Sequence, residues 1–313
     1  MKIIYLGSEV GFRALDNELA GQATVEHVKA TQEAVSNALT EADAILDASM
    51  KVRITNDMVK KAKNLKIISC ATTGSDHIER EELERRAIPV RTLKEDRDLL
   101  LNLTPAAELS WALLMACVRK LPSAFDHVKS GHWDREQFPG IMLRGKSTGI
   151  IGCGRLGSWV GRYALAFGMD VLGYDPYIDS LPHGFTRVTL EELVRTSDFV
   201  SVHVHLSEET MGLISRKYFK MMKPGVIFIN TSRGAVIDEK ALLEGLVSGR
   251  VGAAGLDVLE GEPDIHQNPL VDYSRSHDNL IITPHCGGFS PDAVELVCAH
   301  AAKKIITELG LNS

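Results

Sequence analysis

The stretch Ser147–Asp175, STGIIGCGRLGSWVGRYALAFGMDVLGYD, constrains this chain more than any other. An apolar run, Thr148–Ile151, meets a turn with Gly152, Gly154 and Gly157 at GxGxxG spacing. A helical stretch follows, then a second apolar run, Met169–Tyr174, that ends on Asp175. Without side chains, Gly152 and Gly154 let the backbone turn sharply and come close to a pyrophosphate, while Gly157 lets the helix pack against the strand. A helix starting near Arg155 aims its first N–H groups at that anion. Asp175, about 20 residues past the turn, stands where a carboxylate accepts hydrogen bonds from an adenosine ribose. Glycine clusters are common in loops, so the spacing alone would fit a plain structural turn. The strand before it, the helix after it and the acid beyond it all favour a dinucleotide. A carboxylate at Asp175 repels a 2′-phosphate, and Pro176-Tyr177 brings no arginine to receive one, so NAD is expected over NADP.

At 313 residues the chain is long for one hydrophobic core, and two domains are expected. A formal net charge of −6, with no lysine- or arginine-rich block, argues against nucleic acid as a partner. The five cysteines, Cys70, Cys117, Cys153, Cys286 and Cys298, are scattered without a CxxC pair, which fits a reduced, cytoplasmic protein. The start, MKIIYLGSEV, reads as a first strand and not as a signal peptide. No apolar run is expected to reach the ~18 residues that span a bilayer, so no membrane partner is expected.

The first hundred residues alternate strand and helix. Apolar runs at Lys2–Leu6, Thr24–Val28, Ala44–Leu46, Lys66–Ser69 and Pro89–Val90 are separated by helical stretches such as Gln32–Leu39 and Asn56–Lys63. That alternation predicts a parallel sheet with helices on its faces. After Lys66–Ser69 comes the polar turn Ala71–His77. Its N–H groups at Thr73 and Gly74 either hold a carboxylate or belong to an ordinary capped connection. Pro105–Leu121, introduced by Thr104, predicts a helix apolar nearly all round, buried between domains or subunits. Beyond Asp175, strands are predicted at Phe199–His203, Val226–Asn230, Val251–Leu256 and Leu280–Thr283. Helices are predicted near Leu190–Thr196, Ser215–Met222 and Glu239–Ser248, with Ser290–Leu309 as a long closing helix. With the opening stretch this makes six parallel strands, the size of a doubly wound nucleotide domain.

Three residues sit at the carboxyl ends of the last three of those strands. Arg233 follows Val226–Asn230, Glu262 comes shortly after Val251–Leu256, and His285 follows Leu280–Thr283. In a parallel sheet these ends share one edge with the glycine turn, so an arginine, a carboxylate and an imidazole can converge on one end of the cofactor. Singly, each reads equally well as a surface arginine, a solvated loop acid and a loop histidine. An arginine fork suits a carboxylate or carbonyl oxygen. An imidazole suits proton delivery near neutral pH, and a neighbouring carboxylate orients it.

These residues carry a family resemblance. The chain resembles the D-isomer-specific 2-hydroxyacid dehydrogenases in Gly152-Cys153-Gly154-Arg155-Leu156-Gly157, in Asn230 through Asp238, in Leu256-Asp257-Val258 through Glu262-Pro263, and in Pro284-His285. Gly74-Ser75-Asp76-His77 and Thr104-Pro105-Ala106-Ala107-Glu108 match further family stretches. The resemblance implies two doubly wound parallel-sheet α/β domains, a Rossmann NAD-binding domain at 101–285 inserted in a flavodoxin-like substrate domain at 1–100 plus 286–313. It implies an NAD-dependent oxidoreductase that interconverts a 2-keto acid and a D-2-hydroxy acid. Arg233 would bind substrate, His285 would be the general acid and base, and Glu262 would pair with His285. Ser49 and the amides of Thr73 and Gly74 would add substrate contacts. The cofactor would be met by Gly152, Gly154, Arg155, Leu156, Gly157, Asp175, His203, Thr210, Thr231, Ser232 and Gly287, with Asp257 on the nicotinamide carboxamide. The family pattern also implies a homodimer, with Trp133 either packing or lining the partner's pocket.

Phosphoglycerate-type members carry arginines in the stretches matching Asp47–Lys51 and Ser69–Ala71. Here Lys51 and Arg53 are the remaining cations nearby, so phosphoglycerate is disfavoured, while glyoxylate, hydroxypyruvate and larger 2-keto acids stay open. Two other functions compete: an NAD-sensing binding protein of corepressor type, and oxidation of another small anion such as phosphite or formate. The Arg233, Glu262 and His285 set argues against the first, and a glutamate at Glu262 against formate. His203 and His205, read as sharing a strand face, suggest a metal only if a third ligand exists, and a loop role beside the cofactor is preferred. Cys286 reads as a small packing residue.

Overall fold

The structure is a computed structural model that describes residues 1–311. The chain opens with strands β1 (Lys2–Leu6), β2 (Thr24–His27), β3 (Ala44–Asp47), β4 (Ile67–Cys70) and β5 (Val90–Arg91). Between and after them run helices α1 (Glu9–Leu19), α2 (Gln32–Leu39), α3 (Asn56–Lys61), α4 (Glu81–Arg85) and α5 (Arg97–Leu101). Next come α6 (Pro105–Arg119), α7 (Leu121–Lys129), β6 (Ser147–Ile151), α8 (Arg155–Ala166), β7 (Asp170–Tyr174), β8 (Phe185–Arg187), α9 (Leu190–Thr196), β9 (Phe199–Val202) and α10 (Arg216–Met221). The chain continues through β10 (Val226–Asn230), α11 (Glu239–Val247), β11 (Val251–Leu256), α12 (Pro269–Ser274) and β12 (Leu280–Ile282), and ends with α13 (Pro291–Leu309). Contacts divide it into two compact units, Met1–Leu103 with the segment from Phe289 onward, and Thr104–Gly288.

In the first unit β3 and β4 are buried at every residue, and β1 at all but its first, as expected of strands covered on both faces. The sheet is parallel in the order β2-β1-β3-β4-β5, the flavodoxin-like arrangement. On one face Tyr5, Leu15, Leu19, Cys298, Ala301 and Ile305 form a continuous core, so α13 and α1 cover the sheet together. Val35, Leu39, Val59 and Leu83 cover the other face.

The second unit has seven parallel strands in the order β12-β11-β10-β9-β6-β7-β8, the dinucleotide-binding order extended by β12. The sequence predicts six. The seventh, β8, is three residues long with Thr186 and Arg187 exposed, too short and too polar to show a strand period. Another difference is that β9 stops at Val202, so His203 and His205 lie in the loop beyond it and share no strand face. Helix α6 is buried along one side only, where Ala107, Leu113, Leu114 and Val118 join Ile227, Ile229 and Ala253. It ends where Lys120 turns left-handed, at φ 50°. One expectation is overturned. By length and composition alone Arg97–Arg119 would pass for a membrane-crossing helix, with mean hydropathy 1.4 over its most apolar window. Core helices meet the same measure, and α6 puts its apolar side on the sheet.

The glycine turn works as the sequence predicts. Gly152 has φ 86°, and a Cβ there would lie 2.8 Å from the His203 carbonyl. At Gly157 a Cβ would lie 2.0 Å from the Gly152 carbonyl oxygen, so the first turn of α8 rests directly on the turn before it. Gly157→Ala should therefore cost about 1–3 kcal/mol, because backbone and not a flexible side chain is in the way. Thermal denaturation checks this, and an unchanged midpoint would show that α8 can slide.

Candidate active site

Strand register builds the site. Tyr174 pairs with Ile151, Ile151 with Val202, Val202 with Asn230, Asn230 with Leu256, and Leu256 with Ile282. The last residues of six strands thus form one row. The residues that follow them, Asp175, Gly152, His203, Thr231, Asp257 and Thr283, begin the loops along a single edge.

At the β10 end, wholly buried Asn230 shapes the next three residues. Its Oδ1 accepts from the Ser232 N–H at 3.0 Å and hydroxyl at 2.7 Å, and its Nδ2 donates to the Arg233 carbonyl at 3.0 Å. The Thr231 hydroxyl bonds that of Ser110 at 2.6 Å, tying the turn to α6. The partly buried Arg233 guanidinium donates to the Ser232 carbonyl at 2.7 Å.

At the β11 and β12 ends, the buried carboxylate of Asp257 plays the same part. Its Oδ1 accepts from the Thr283 hydroxyl at 2.5 Å and the Cys286 N–H at 2.9 Å, and its Oδ2 from the Gly287 N–H at 2.8 Å. The Asp257 carbonyl accepts from the His285 N–H at 2.9 Å. The loop that carries His285 is therefore wound around Asp257, and His285 itself is left-handed at φ 52°, a conformation a histidine keeps only when its surroundings impose it. The Cys286 thiol lies 3.6 Å from the same carboxylate. Burial and that charge push it above the usual thiol range, away from thiolate reactivity.

The His285 Nδ1 lies 2.5 Å from Glu262 Oε1. An ionised carboxylate only accepts, so Nδ1 carries the hydrogen and Nε2 is left to exchange a proton with a bound molecule. The other carboxylate oxygen accepts from the Leu259 N–H at 3.3 Å. The His285 and Glu262 side chains are 35% and 29% exposed, so a ligand can reach the pair while the loops still fix it.

The residues expected at a dinucleotide fit one. A Cβ on Gly154 would meet nothing within 4 Å, leaving room for an anion at the start of α8. Arg155 opens that helix, burial lowering its pKa, and Leu156 packs into the core beside it. The Asp175 carboxylate accepts from the Cys153 N–H at 2.9 Å and the Tyr177 N–H at 3.0 Å, which aims it from β7 toward the glycine turn. An arginine from beyond Pro176-Tyr177 holds the backbone of this loop. Arg187, on β8, donates to the carbonyls of Asp175 at 2.9 Å, Ile178 at 2.7 Å and Asp179 at 3.1 Å, and so holds the loop from behind. The His203 ring bonds the Ser201 hydroxyl at 2.8 Å, and burial lowers its pKa to about 4, so it is neutral. Thr210 donates to the His205 carbonyl at 2.5 Å and closes the same loop. Among the described residues no three metal-ligating side chains gather there.

In the first unit, buried Asp47 accepts from the Ser49 N–H at 2.8 Å and hydroxyl at 2.9 Å, and pairs with His77 at 2.8 Å. One carboxylate thus links the loop after β3 to the loop after β4. In the second of these loops the Thr72 hydroxyl donates to the Gly74 carbonyl at 2.7 Å. Ser49 is there committed to Asp47 as a donor.

The neutral His203 generates a pH expectation. An unfolded chain protonates this ring near 6.5 and the folded one near 4, so its contribution is complete above about pH 6.5 and is lost as pH falls toward 4. The loss should be about 2–3 kcal/mol, and His203→Gln should flatten that part of the stability profile in urea unfolding. An identical slope in the variant would contradict it.

Known proteins give the same reading. The family model for the D-isomer specific 2-hydroxyacid dehydrogenase NAD binding domain matches residues 111–287, and that for the catalytic domain matches 6–96. A hydroxypyruvate reductase of Thermotoga maritima is 37% identical over 93% of this chain and 92% of its own length. A D-3-phosphoglycerate dehydrogenase of Methanocaldococcus jannaschii is 37% identical over 88% of this chain, which spans 52% of that protein. The TT0316 protein of Thermus thermophilus superposes with a TM-score of 0.87 at 31% identity, covering 99% of this chain and 97% of that one. A D-lactate dehydrogenase of Aquifex aeolicus, solved with NAD and lactic acid, gives 0.81 at 26% identity, covering 98% and 95%. The chain belongs to the NAD-dependent D-isomer specific 2-hydroxyacid dehydrogenases, and its Thr104–Gly288 unit is their NAD-binding domain.

Proposed function

We propose that this chain reduces a small 2-keto acid to the D-2-hydroxy acid, and runs the reverse reaction, with His285 as the acid and base. The observation that carries this is the His285–Glu262 pair on the same sheet edge as the glycine turn. Bound NADH supplies the hydride. Protonated His285 gives its Nε2 proton to the carbonyl oxygen, while the Glu262 carboxylate on Nδ1 orients the ring and stabilises its charged form. Arg233 offers a planar fork to the substrate carboxylate and to the charge that develops on the carbonyl oxygen. In the reverse direction neutral His285 takes the hydroxyl proton. The Thr73 and Gly74 amides, which donate to no acceptor among the described residues, suit a carboxylate.

For the substrate, a short unphosphorylated 2-keto acid such as hydroxypyruvate or glyoxylate is favoured. The Thermotoga relative is named for hydroxypyruvate, and Arg53, one of the two nearby cations, is paired with Glu79 at 3.2 Å. A homodimer is supported by four exposed apolar side chains on and after α7, Phe125, Val128, Trp133 and Met142. Five unpaired cysteines suit a reducing cytoplasm.

A panel of 2-keto acids with NADH tests the reaction directly, and activity with none of them would end this reading. His285→Ala should lower turnover about 10²–10⁴-fold with NADH affinity kept, and Arg233→Lys should raise KM and lower kcat together. With Asp175 held against the glycine turn and read as the ribose acceptor, Asp175→Ala should narrow the preference for NADH over NADPH. Unchanged selectivity would remove Asp175 from that role.

A further inference from the structure

The acid–base pair depends on a peptide that neither the glycine turn nor the three site residues explain. That peptide joins Leu259 to Glu260. On one side it lies against Gly234, the residue after Arg233, so closely that a Cβ there would sit 2.1 Å from the Leu259 carbonyl carbon and the Glu260 nitrogen. Its N–H, that of Glu260, donates to Glu239 Oε1 at 2.7 Å, and the N–H of Leu259, one peptide earlier, donates to Glu262 Oε2 at 3.3 Å. Glu239 is the first residue of α11, and its other oxygen accepts from Asn268 Nδ2 at 2.8 Å. Asn268 is itself fixed, since its Oδ1 caps α12 by accepting from the Leu270 N–H at 2.9 Å. The Leu259 side chain is buried in the core. The Glu239 carboxyl is thus tied to the starts of α11 and α12 and grips a segment that touches both the Arg233 turn and Glu262.

We propose that Glu239 is a positioning residue for the acid–base pair: by holding the Glu260 amide it fixes the Leu259–Glu260 segment, whose Leu259 N–H holds Glu262 against His285 and whose joining peptide packs on Gly234 beside Arg233. The proposal rests on the reading that His285 and Glu262 are that pair. Glu239 needs no contact with substrate or cofactor for this. Its role is geometric, because the acceptor oxygen must reach the Glu260 amide, and burial together with the nearby Glu260 and Glu262 charges already raises its carboxyl above the usual range. A neutral acceptor of the same length should therefore serve, and a charged but shorter one should not.

Three substitutions separate the possibilities. Glu239→Gln keeps a side-chain carbonyl oxygen at the same reach, Glu239→Asp keeps the charge one carbon short, and Glu239→Ala removes both. The expected result is a kcat for 2-keto acid reduction about 10–100-fold lower in the Asp and Ala variants, with NADH affinity unchanged, and near wild-type turnover in the Gln variant. Turnover alone would depend on the proposed reaction, so a second readout is the ¹⁵N spectrum of the His285 ring at alkaline pH, assigned by its loss in His285→Asn. Wild type and Glu239→Gln should show the proton on Nδ1, facing Glu262, and Glu239→Asp should show it shared with or moved to Nε2. Retention of the Nδ1 proton in the folded Asp variant overturns the proposal even if the wild type reduces every 2-keto acid tried. A shift of the proton supports it even if the panel fails. Loss of turnover in the Gln variant with wild-type turnover in the Asp variant would make the role one of charge, and would also overturn it.

Discussion

Parallel pairing confines the chemistry of this protein to one edge. Helices return the chain to the same end of the sheet each time, so every strand delivers its carboxyl end beside the last. In the larger unit the register is tight enough that six strands finish in one row, from Tyr174 through Ile151, Val202, Asn230 and Leu256 to Ile282. Arg233, Glu262 and His285 lie 29 and 23 residues apart in sequence, yet they belong to loops that start within two strand spacings of one another.

Register places the loops, and buried polar hubs shape them. Asn230 organises the Arg233 turn and Asp257 the His285 turn, each satisfying several backbone groups at once. Each such group left without a partner in the interior would cost about 1–3 kcal/mol, so these turns have few alternatives. That constraint keeps His285 in a left-handed conformation with its ring on Glu262. Glu239 extends the same logic one layer outward, to the peptide between the two turns.

Most of this framework was legible in the sequence, because it depends on local signals. The GxGxxG turn needs glycine for reasons visible in the chain itself, the apolar runs mark buried parallel strands, and Arg233, Glu262 and His285 each follow such a run. What the sequence hid depends on partners found only once the strand order is known. Arg187 reaches Asp175 from a three-residue strand with no period to read. Beside its expected place at the cofactor, Asp257 has a carboxylate that binds residues 26–30 positions away in the loop beyond a neighbouring strand, which the sequence did not show. Nothing in the sequence assigned Glu239 or Asn230 a partner, and their bonds to the Glu260 amide and the Arg233 carbonyl are read from the structure alone. In the smaller unit the Asp47–His77 link escaped notice for the same reason, as Asp47 ends β3 while His77 lies in the loop after the adjacent β4.

The central claim is that one fixed edge presents NADH, Arg233 and His285 to a 2-keto acid in a single orientation. The most direct measurement is a single turnover of the NADH-loaded protein with hydroxypyruvate, or with glyoxylate deuterated at its aldehyde carbon, followed by analysis of product configuration. Delivery from one face predicts a single enantiomer, of D configuration for hydroxypyruvate. A racemic product, or the L isomer, would contradict the account.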